Sequence, residues 1–147
     1  MKKFFRVLSA VVIAAVLFGC SNDDSDGSDV PEQKSVAELI SFAKAGDTVT
    51  LTQGTLAENA SLSVDKAIVL TGGTTQFDAK NAVITVSAKG VTLKNIKNIK
   101  AVTVAEAVGD GDFTLDNCDV AKLTVNGGGS NSIHLKDSNV AVLNAAY

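Results

Sequence analysis

The sequence predicts an all-β fold, a single-stranded parallel β-helix (a β-solenoid) of about five coils with an N-terminal capping α-helix. A seven-residue segment occurs in three copies that align without a gap. The copies begin at Val91, Phe113 and Ile133, which are 22 and 20 residues apart. Within each copy apolar and polar residues alternate, which is the pattern of a strand with one buried face. A repeat of about 20 residues leaves no room for the crossover helix that joins other parallel strands. Repeats of this length stack as the coils of a solenoid.

Stacking in register requires equivalent residues of successive coils to lie above one another, about 4.8 Å apart. The second apolar position of each copy is a leucine, which predicts one continuous interior column. The neighbouring outward position alternates in charge, as favourable cross-strand pairing requires. We expect this outward column to be a contact surface for a partner. The members of the two columns are Leu93, Leu115 and Leu135, and Lys94, Asp116 and Lys136. The alternative is an ordinary antiparallel meander whose strands resemble one another by chance.

Two further columns follow from the same alignment. A polar column is expected at the corner after the first strand, where asparagine recurs twice before an aspartate; its members are Asn95, Asn117 and Asp137. Cys118 lies in the next column, between Ile96 and Ser138, and is expected to serve as a small buried hydrophobe.

The first residues have the layout of a secretory signal peptide. Three cations precede the apolar run Val7–Phe18, which is too short for a stable membrane span. The run ends in Leu17-Phe18-Gly19-Cys20, which resembles the lipobox of bacterial lipoproteins. That resemblance implies removal of residues 1–19 and a covalent lipid on Cys20, although Phe18 departs from the small residue usual at its position. The alternative is an ordinary signal peptide with a cysteine placed by chance.

Residues 20–34 are expected to form a disordered acidic tether, since they carry five carboxylates among serine and glycine. By its resemblance to lipoprotein sorting signals, Ser21 implies the outer membrane, and the Ser/Asp run implies the cell surface. Loss of the three N-terminal cations changes the formal charge from −3 to −6, of which residues 21–32 of the tether hold −5. The remaining body is nearly neutral, so no nucleic-acid partner is expected. Acyl chains on Cys20 would anchor the protein to a membrane, and no other cofactor is predicted.

A short helix is predicted to open the domain of residues 35–147. Ser35 and Glu38 have the spacing of a capping box, and apolar residues follow at helical spacing. Gly46 is placed where a C-terminal cap would belong. Such a helix would cover the lower end of the apolar stack, which a solenoid must protect.

Two earlier coils are predicted by applying the same alignment to the residues before Val91. Val49 and Ile68 are taken as equivalent positions of the first strand, 19 residues apart, and Val91 follows Ile68 after 23. Leu62 and Ile84 are taken as equivalent positions of the second strand.

The helix, the following segment Ala45–Leu51 and Gly54 resemble the start of right-handed parallel β-helices of the pectin-lyase-like superfamily. The resemblance covers residues 35–145 and implies a right-handed solenoid. It leaves the function open, because that superfamily includes lyases, hydrolases, adhesins and scaffolds. At the other end the sequence after Leu143 supplies no polar cap, and we expect end-on association into a homo-oligomer. The alternatives are that Tyr147 folds over the last coil, or that the chain is a short relative of longer solenoids.

The residues do not supply the chemistry of the enzymes in that superfamily, so neither a catalytic nor a metal site is predicted. Residues 20–147 contain no arginine to act as the base of a lyase, and the adjacent pair Asp23-Asp24 lies in the tether rather than in a convergent pair. Asp110-Gly-Asp112 is interpreted as a turn rather than a calcium loop. His134 is interpreted as a solvated side chain.

Together these observations predict a non-enzymatic, lipid-anchored envelope or surface protein whose solenoid contacts a protein or glycan partner. Phe77 is the one aromatic residue before Tyr147 expected to contribute an exposed contact, unless it packs back onto the coil. The alternative function is that of a polysaccharide-binding or degenerate lyase-like β-helix protein.

Overall fold

The computed structural model describes residues 33–52 and 54–146, all within one unit of the chain, residues 32–147. The predicted signal peptide (1–19), the lipidation site Cys20 and the tether up to residue 32 lie outside the described residues, as does Tyr147.

The described part contains one α-helix, one short 3-10 helix (Glu106–Val108) and eight strands. The helix α1 spans Val36–Phe42. The strands are β1 (Thr48–Thr50), β2 (Ser61–Val64), β3 (Val69–Thr71), β4 (Phe77–Val86), β5 (Val91–Val104), β6 (Phe113–Val125), β7 (Ile133–Lys136) and β8 (Asn139–Ala145).

Every strand pair in the sheet is parallel, and the strands form a β-solenoid of about five coils. One face stacks β1, β3, β5, β6 and β7, and another stacks β2, β4, β5, β6 and β8. The long strands β5 and β6 bend and contribute to both faces, with an irregularity in register after Ile96. This arrangement confirms the predicted fold class and excludes the antiparallel meander.

The interior column of the first face runs through all five coils. Its members are paired in succession: Val49, Leu70, Leu93, Leu115 and Leu135. The first four are buried. The outward neighbours Lys94, Asp116 and Lys136 are also paired in the predicted register.

The predicted register of the first coil is wrong by two residues. Val49 pairs with Leu70, 21 residues on, rather than with Ile68. A shift of two residues returns every side chain to the same face of a strand, so alternation alone does not distinguish the two registers. The second-strand register is confirmed, because Leu62 pairs with Ile84.

The helix covers the lower end of the stack. Val36 and Ile40 are buried against the core, and the Ser35–Glu38 capping box is formed. Lys66 holds the C-terminal end of α1 against the solenoid, because its Nζ donates hydrogen bonds to the carbonyl oxygens of Ser41 (2.6 Å) and Ile40 (3.2 Å). The expected cap at Gly46 is wrong, because Ala43 caps the helix and Gly46 lies in the following turn.

Candidate functional site

The charged column forms a three-residue ion network on one face of the solenoid. Lys94 Nζ lies 2.9 Å from Asp116 Oδ2, and Lys136 Nζ lies 3.6 Å from Asp116 Oδ1. Strand pairing places the three side chains one above another, so the network follows directly from the parallel register. The hydrogen bond from Lys94 and the charge of Lys136 hold the pKa of Asp116 below its ordinary value.

The network exposes cations rather than its carboxylate. The Asp116 side chain is only 14 % exposed, whereas those of Lys94 and Lys136 are 45 % and 67 % exposed. One carboxylate neutralises one of the two ammonium groups, which leaves the three-residue network with a net positive charge. Such a surface suits a partner that carries carboxylate or other anionic groups.

The predicted polar column lies at the corner beside this network and is organised by hydrogen bonds. Asn95, Asn117 and Asp137 all adopt positive φ (54°, 53° and 47°), a conformation that Asn and Asp tolerate better than other non-glycine residues. Asn117 donates from Nδ2 to Oδ1 of Asn95 at 2.8 Å, and Asn95 donates to the carbonyl oxygen of Gly73. Gln76 completes the corner by donating to both oxygens of Asn117.

Phe77 does not contribute an exposed aromatic surface, and the alternative, that it packs back onto the coil, is the one observed. Phe77 is the first residue of β4, and its side chain is only 6 % exposed and belongs to the hydrophobic core. The cause is its pairing with Ile96, which places Phe77 in an interior column of the solenoid.

An open groove of about 770 Å³ crosses the coils on another side of the molecule. Small residues line it, and two lysines and two aspartates surround them. The alanines are Ala45, Ala67, Ala88 and Ala107, and the charged residues are Asp65, Lys66, Lys89 and Asp110. Sequence reasoning missed this groove, although alanine recurring at spacings of 22, 21 and 19 residues was a signal for it.

Cys118 is fully buried in the predicted column, where it pairs with Ile96. Its Sγ donates to the carbonyl oxygen of Leu93 at 3.3 Å, and its backbone N–H donates to the hydroxyl of Ser138. Burial raises the pKa of the Cys118 thiol to about 11. A thiol in this state is a poor nucleophile, because the thiolate is the reactive form.

The remaining polar candidates lie near the turn Asp110-Gly-Asp112. His134 Nε2 lies 3.3 Å from Asp112 Oδ1, and both side chains are exposed. Ser132 donates to the carbonyl oxygen of Asp110 at 3.2 Å, which ties the turn to the next coil. Within residues 33–52 and 54–146, no three His, Cys, Asp or Glu side chains cluster closely enough to hold a metal ion.

Among the described residues, no helix is both long and apolar enough to cross a membrane. Comparisons with protein-family models, with curated proteins and with solved structures found no match for this chain.

Proposed function

We propose that the protein is a non-enzymatic, lipid-anchored protein of a bacterial envelope or cell surface, with the solenoid serving as a rigid scaffold. The observation that carries the proposal is the sequence around Cys20, in which a basic start and an apolar run end in a lipobox-like motif. Acylation there would anchor the chain without a membrane-spanning helix. The right-handed, pectin-lyase-like relationship suggested by the start of the solenoid is part of the same proposal.

The fold supports the scaffold role through its continuous interior. Each inner column consists of apolar side chains packed over one another, and α1 covers the lower end. Solenoids of this kind present side chains at regular spacing along a flank. The Lys94–Asp116–Lys136 network is the part of that flank that we assign to contact with an anionic protein or glycan partner.

Incorporation of labelled palmitate tests the anchor. Cells that produce the full chain should label it, and Cys20→Ala should abolish the label. Cys118→Ala is the matched control, because Cys118 is the only other cysteine and is buried. A Cys20→Ala chain that still incorporates palmitate would overturn the anchoring site. Protease added to intact cells then distinguishes the outer surface from the periplasm.

Charge reversal tests the contact surface. The double substitution Lys94→Glu and Lys136→Glu should lower recovery of a bound partner from envelope extracts at least tenfold. The control is Lys100→Glu with Lys122→Glu, which reverses two exposed cations outside the network. Equal recovery by both variants would remove the network from consideration as the contact surface.

The groove favours a second function, the binding of an acidic polysaccharide without catalysis. Its floor of alanines is open to a chain-like ligand, and Lys89 is the lysine of its lining that does not bond to the end of α1. Incubation with acidic polysaccharides and calcium should give no unsaturated product. Affinity electrophoresis in the same polysaccharides should show retardation that Lys89→Glu weakens and Lys100→Glu leaves unchanged. Absence of retardation would exclude this function, and an unsaturated product would show a lyase.

A further inference from the structure

The corner that follows β6 begins with the dipeptide Asn126-Gly127, the one place in the chain where glycine follows asparagine. Asn126 is exposed, and its backbone N–H donates to the carbonyl oxygen of Val104 at 2.8 Å, one coil below. An asparagine side chain is chemically labile because the backbone nitrogen of the next residue can attack its amide carbon. Glycine in the next position favours this attack, since it has no Cβ to obstruct the approach and its backbone is permissive.

The attacking nitrogen at this corner is not held by a hydrogen bond. Among residues 33–52 and 54–146, no acceptor bonds to the N–H of Gly127, and the residue itself is half-buried. A backbone nitrogen must lose its proton before it can act as a nucleophile. A hydrogen bond to a carbonyl oxygen protects that proton from removal by base and holds the peptide plane in place. Gly127 lacks this protection.

The stacking of the coils requires a glycine after Asn126. A Cβ atom at position 127 would overlap the carbonyl oxygen of Ala105 in the coil below. A side chain that slowed the attack by steric hindrance would therefore displace the corner. The residue that makes Asn126 reactive is also the residue that lets the two coils approach one another.

Two other dipeptides with the same type of reactivity are protected by the fold. In Asp110-Gly111 the N–H of Gly111 donates to the carbonyl oxygen three residues earlier at 3.1 Å. In Asn131-Ser132 the N–H of Ser132 makes the same kind of bond at 3.2 Å, and Ser132 is only 4 % exposed. The contrast with Gly127 distinguishes a site selected by the structure from a property of the sequence alone.

We propose that Asn126 is a site of spontaneous deamidation in the folded protein, with water as the only co-reactant. The backbone nitrogen of Gly127 loses its proton to hydroxide and forms a bond to Cγ of Asn126. The bond from Cγ to Nδ2 breaks, and Nδ2 takes up a proton from water and leaves as ammonia. Water then adds to one of the two carbonyl carbons of the five-membered ring and opens it, which yields aspartate or isoaspartate. No atom is oxidised or reduced.

Either product changes the corner. Aspartate adds one negative charge to a body that is nearly neutral. Isoaspartate also carries the main chain through Cβ, which adds one carbon to the backbone beside the close approach of Gly127 to Ala105. Because the step needs no enzyme, the fraction of converted molecules increases with the age of the protein. The site goes beyond the proposed scaffold function and does not depend on the lipid anchor.

Peptide mass spectrometry of the purified full chain tests the site. The chain is incubated at mildly alkaline pH, folded in one sample and in denaturant in the other, and both isomeric products are separated and counted. Asn126 should convert in the folded chain at a rate within threefold of its rate in denaturant. Asn131 and Asp110 are the internal controls and should react at least tenfold more slowly when folded. The rate at Asn126 should rise with pH, because the attacking nitrogen must be deprotonated.

A substitution at the site provides the second measurement. Asn126→Gln keeps the amide but requires a six-membered ring, so release of ammonia from the folded chain should fall at least tenfold. Asn131→Gln is the matched control and should leave that release unchanged. Far-ultraviolet circular dichroism should be unaltered by Asn126→Gln, because residue 126 is exposed. An unconverted Asn126 in the folded chain, equal rates at Asn126 and Asn131, or undiminished ammonia release from Asn126→Gln would each overturn the proposal.

Discussion

Asn117 donates a 2.8 Å hydrogen bond from its side-chain amide to the side-chain oxygen of Asn95, one coil below it, and both residues hold the backbone at positive φ. Stacked amides of this kind connect successive corners of the solenoid in the way that the backbone ladder connects its faces. The relationship depends on two separate properties of asparagine, its tolerance of the left-handed region and its paired donor and acceptor.

The two properties can be separated by substitution at Asn117. Asn117→Gly keeps the backbone conformation and removes the hydrogen bonds, and it should lower the free energy of unfolding by about 1–2 kcal/mol. Asn117→Ala also forces a Cβ-bearing residue without a local hydrogen bond into positive φ, which should cost about 1 kcal/mol more. Chemical denaturation of both variants measures the difference. Equal stabilities would show that the positive φ of Asn117 is not a constraint.

Two leucines of the interior column, Leu115 and Leu135, differ in burial and can be compared by the same substitution. Leu115→Ala should lower the free energy of unfolding by about 2–5 kcal/mol, because its side chain is fully buried. Leu135→Ala is the matched control, since Leu135 is the next member of the column and is largely exposed. We expect it to cost less than about 1 kcal/mol in a monomeric sample. Equal losses would contradict the difference in burial between Leu115 and Leu135.

Acid should weaken the ion network around Asp116. Because the pKa of Asp116 is lowered from 3.8, its carboxylate stabilises the folded chain above that pH, and the contribution is lost as the pH falls through the lowered pKa. Asp116→Asn should therefore destabilise the chain near neutral pH by less than about 1 kcal/mol, with no difference from wild type below the lowered pKa. Denaturation curves at several pH values measure this. About 1 M salt should shrink the effect, and a pH-independent difference would contradict the assignment.

The buried thiol should be protected from modification. Since burial raises the pKa of Cys118 from 9.0 to about 11, the thiolate fraction near pH 7.5 is lowered about 100-fold, before access is considered. In a Cys20→Ala chain, iodoacetamide should label Cys118 at least 100-fold more slowly in the folded state than in denaturant. Rapid labelling of the folded chain would contradict the packing around Leu93 and Ile96.

The repeated part of the fold was predictable because its signal was redundant. Three aligned copies fixed the pairing of Leu93 with Leu115 and Leu135, and with it the charged column beside them. The first coil lacked such a copy, and its alternating residues satisfied two registers that differ by two residues. The structure pairs Val49 with Leu70 rather than with Ile68, and backbone hydrogen bonds between the two coils hold that register.

The candidate site was predictable only where it depends on register. The positions of Lys94, Asp116 and Lys136 follow from strand pairing, and their ion pairs were confirmed. The burial of Phe77 did not follow, because it depends on a strand, β4, that begins four residues after the glycine pair at 72–73. The groove along Ala45 and Ala67 depends on how turns of unequal length align, which alternation within strands does not encode.

The distance between Ser63 and Asn144 tests the solenoid most directly, because these residues lie at the two ends of one outward column. Spin labels would be attached at Ser63→Cys and Asn144→Cys in a Cys20→Ser chain, diluted with unlabelled protein so that only distances within one chain are seen. Four coil steps of about 4.8 Å predict a separation of about 19 Å between the Cα atoms, with a narrow distribution. A broad distribution, or a distance beyond about 30 Å, would contradict stacking of the coils along one axis.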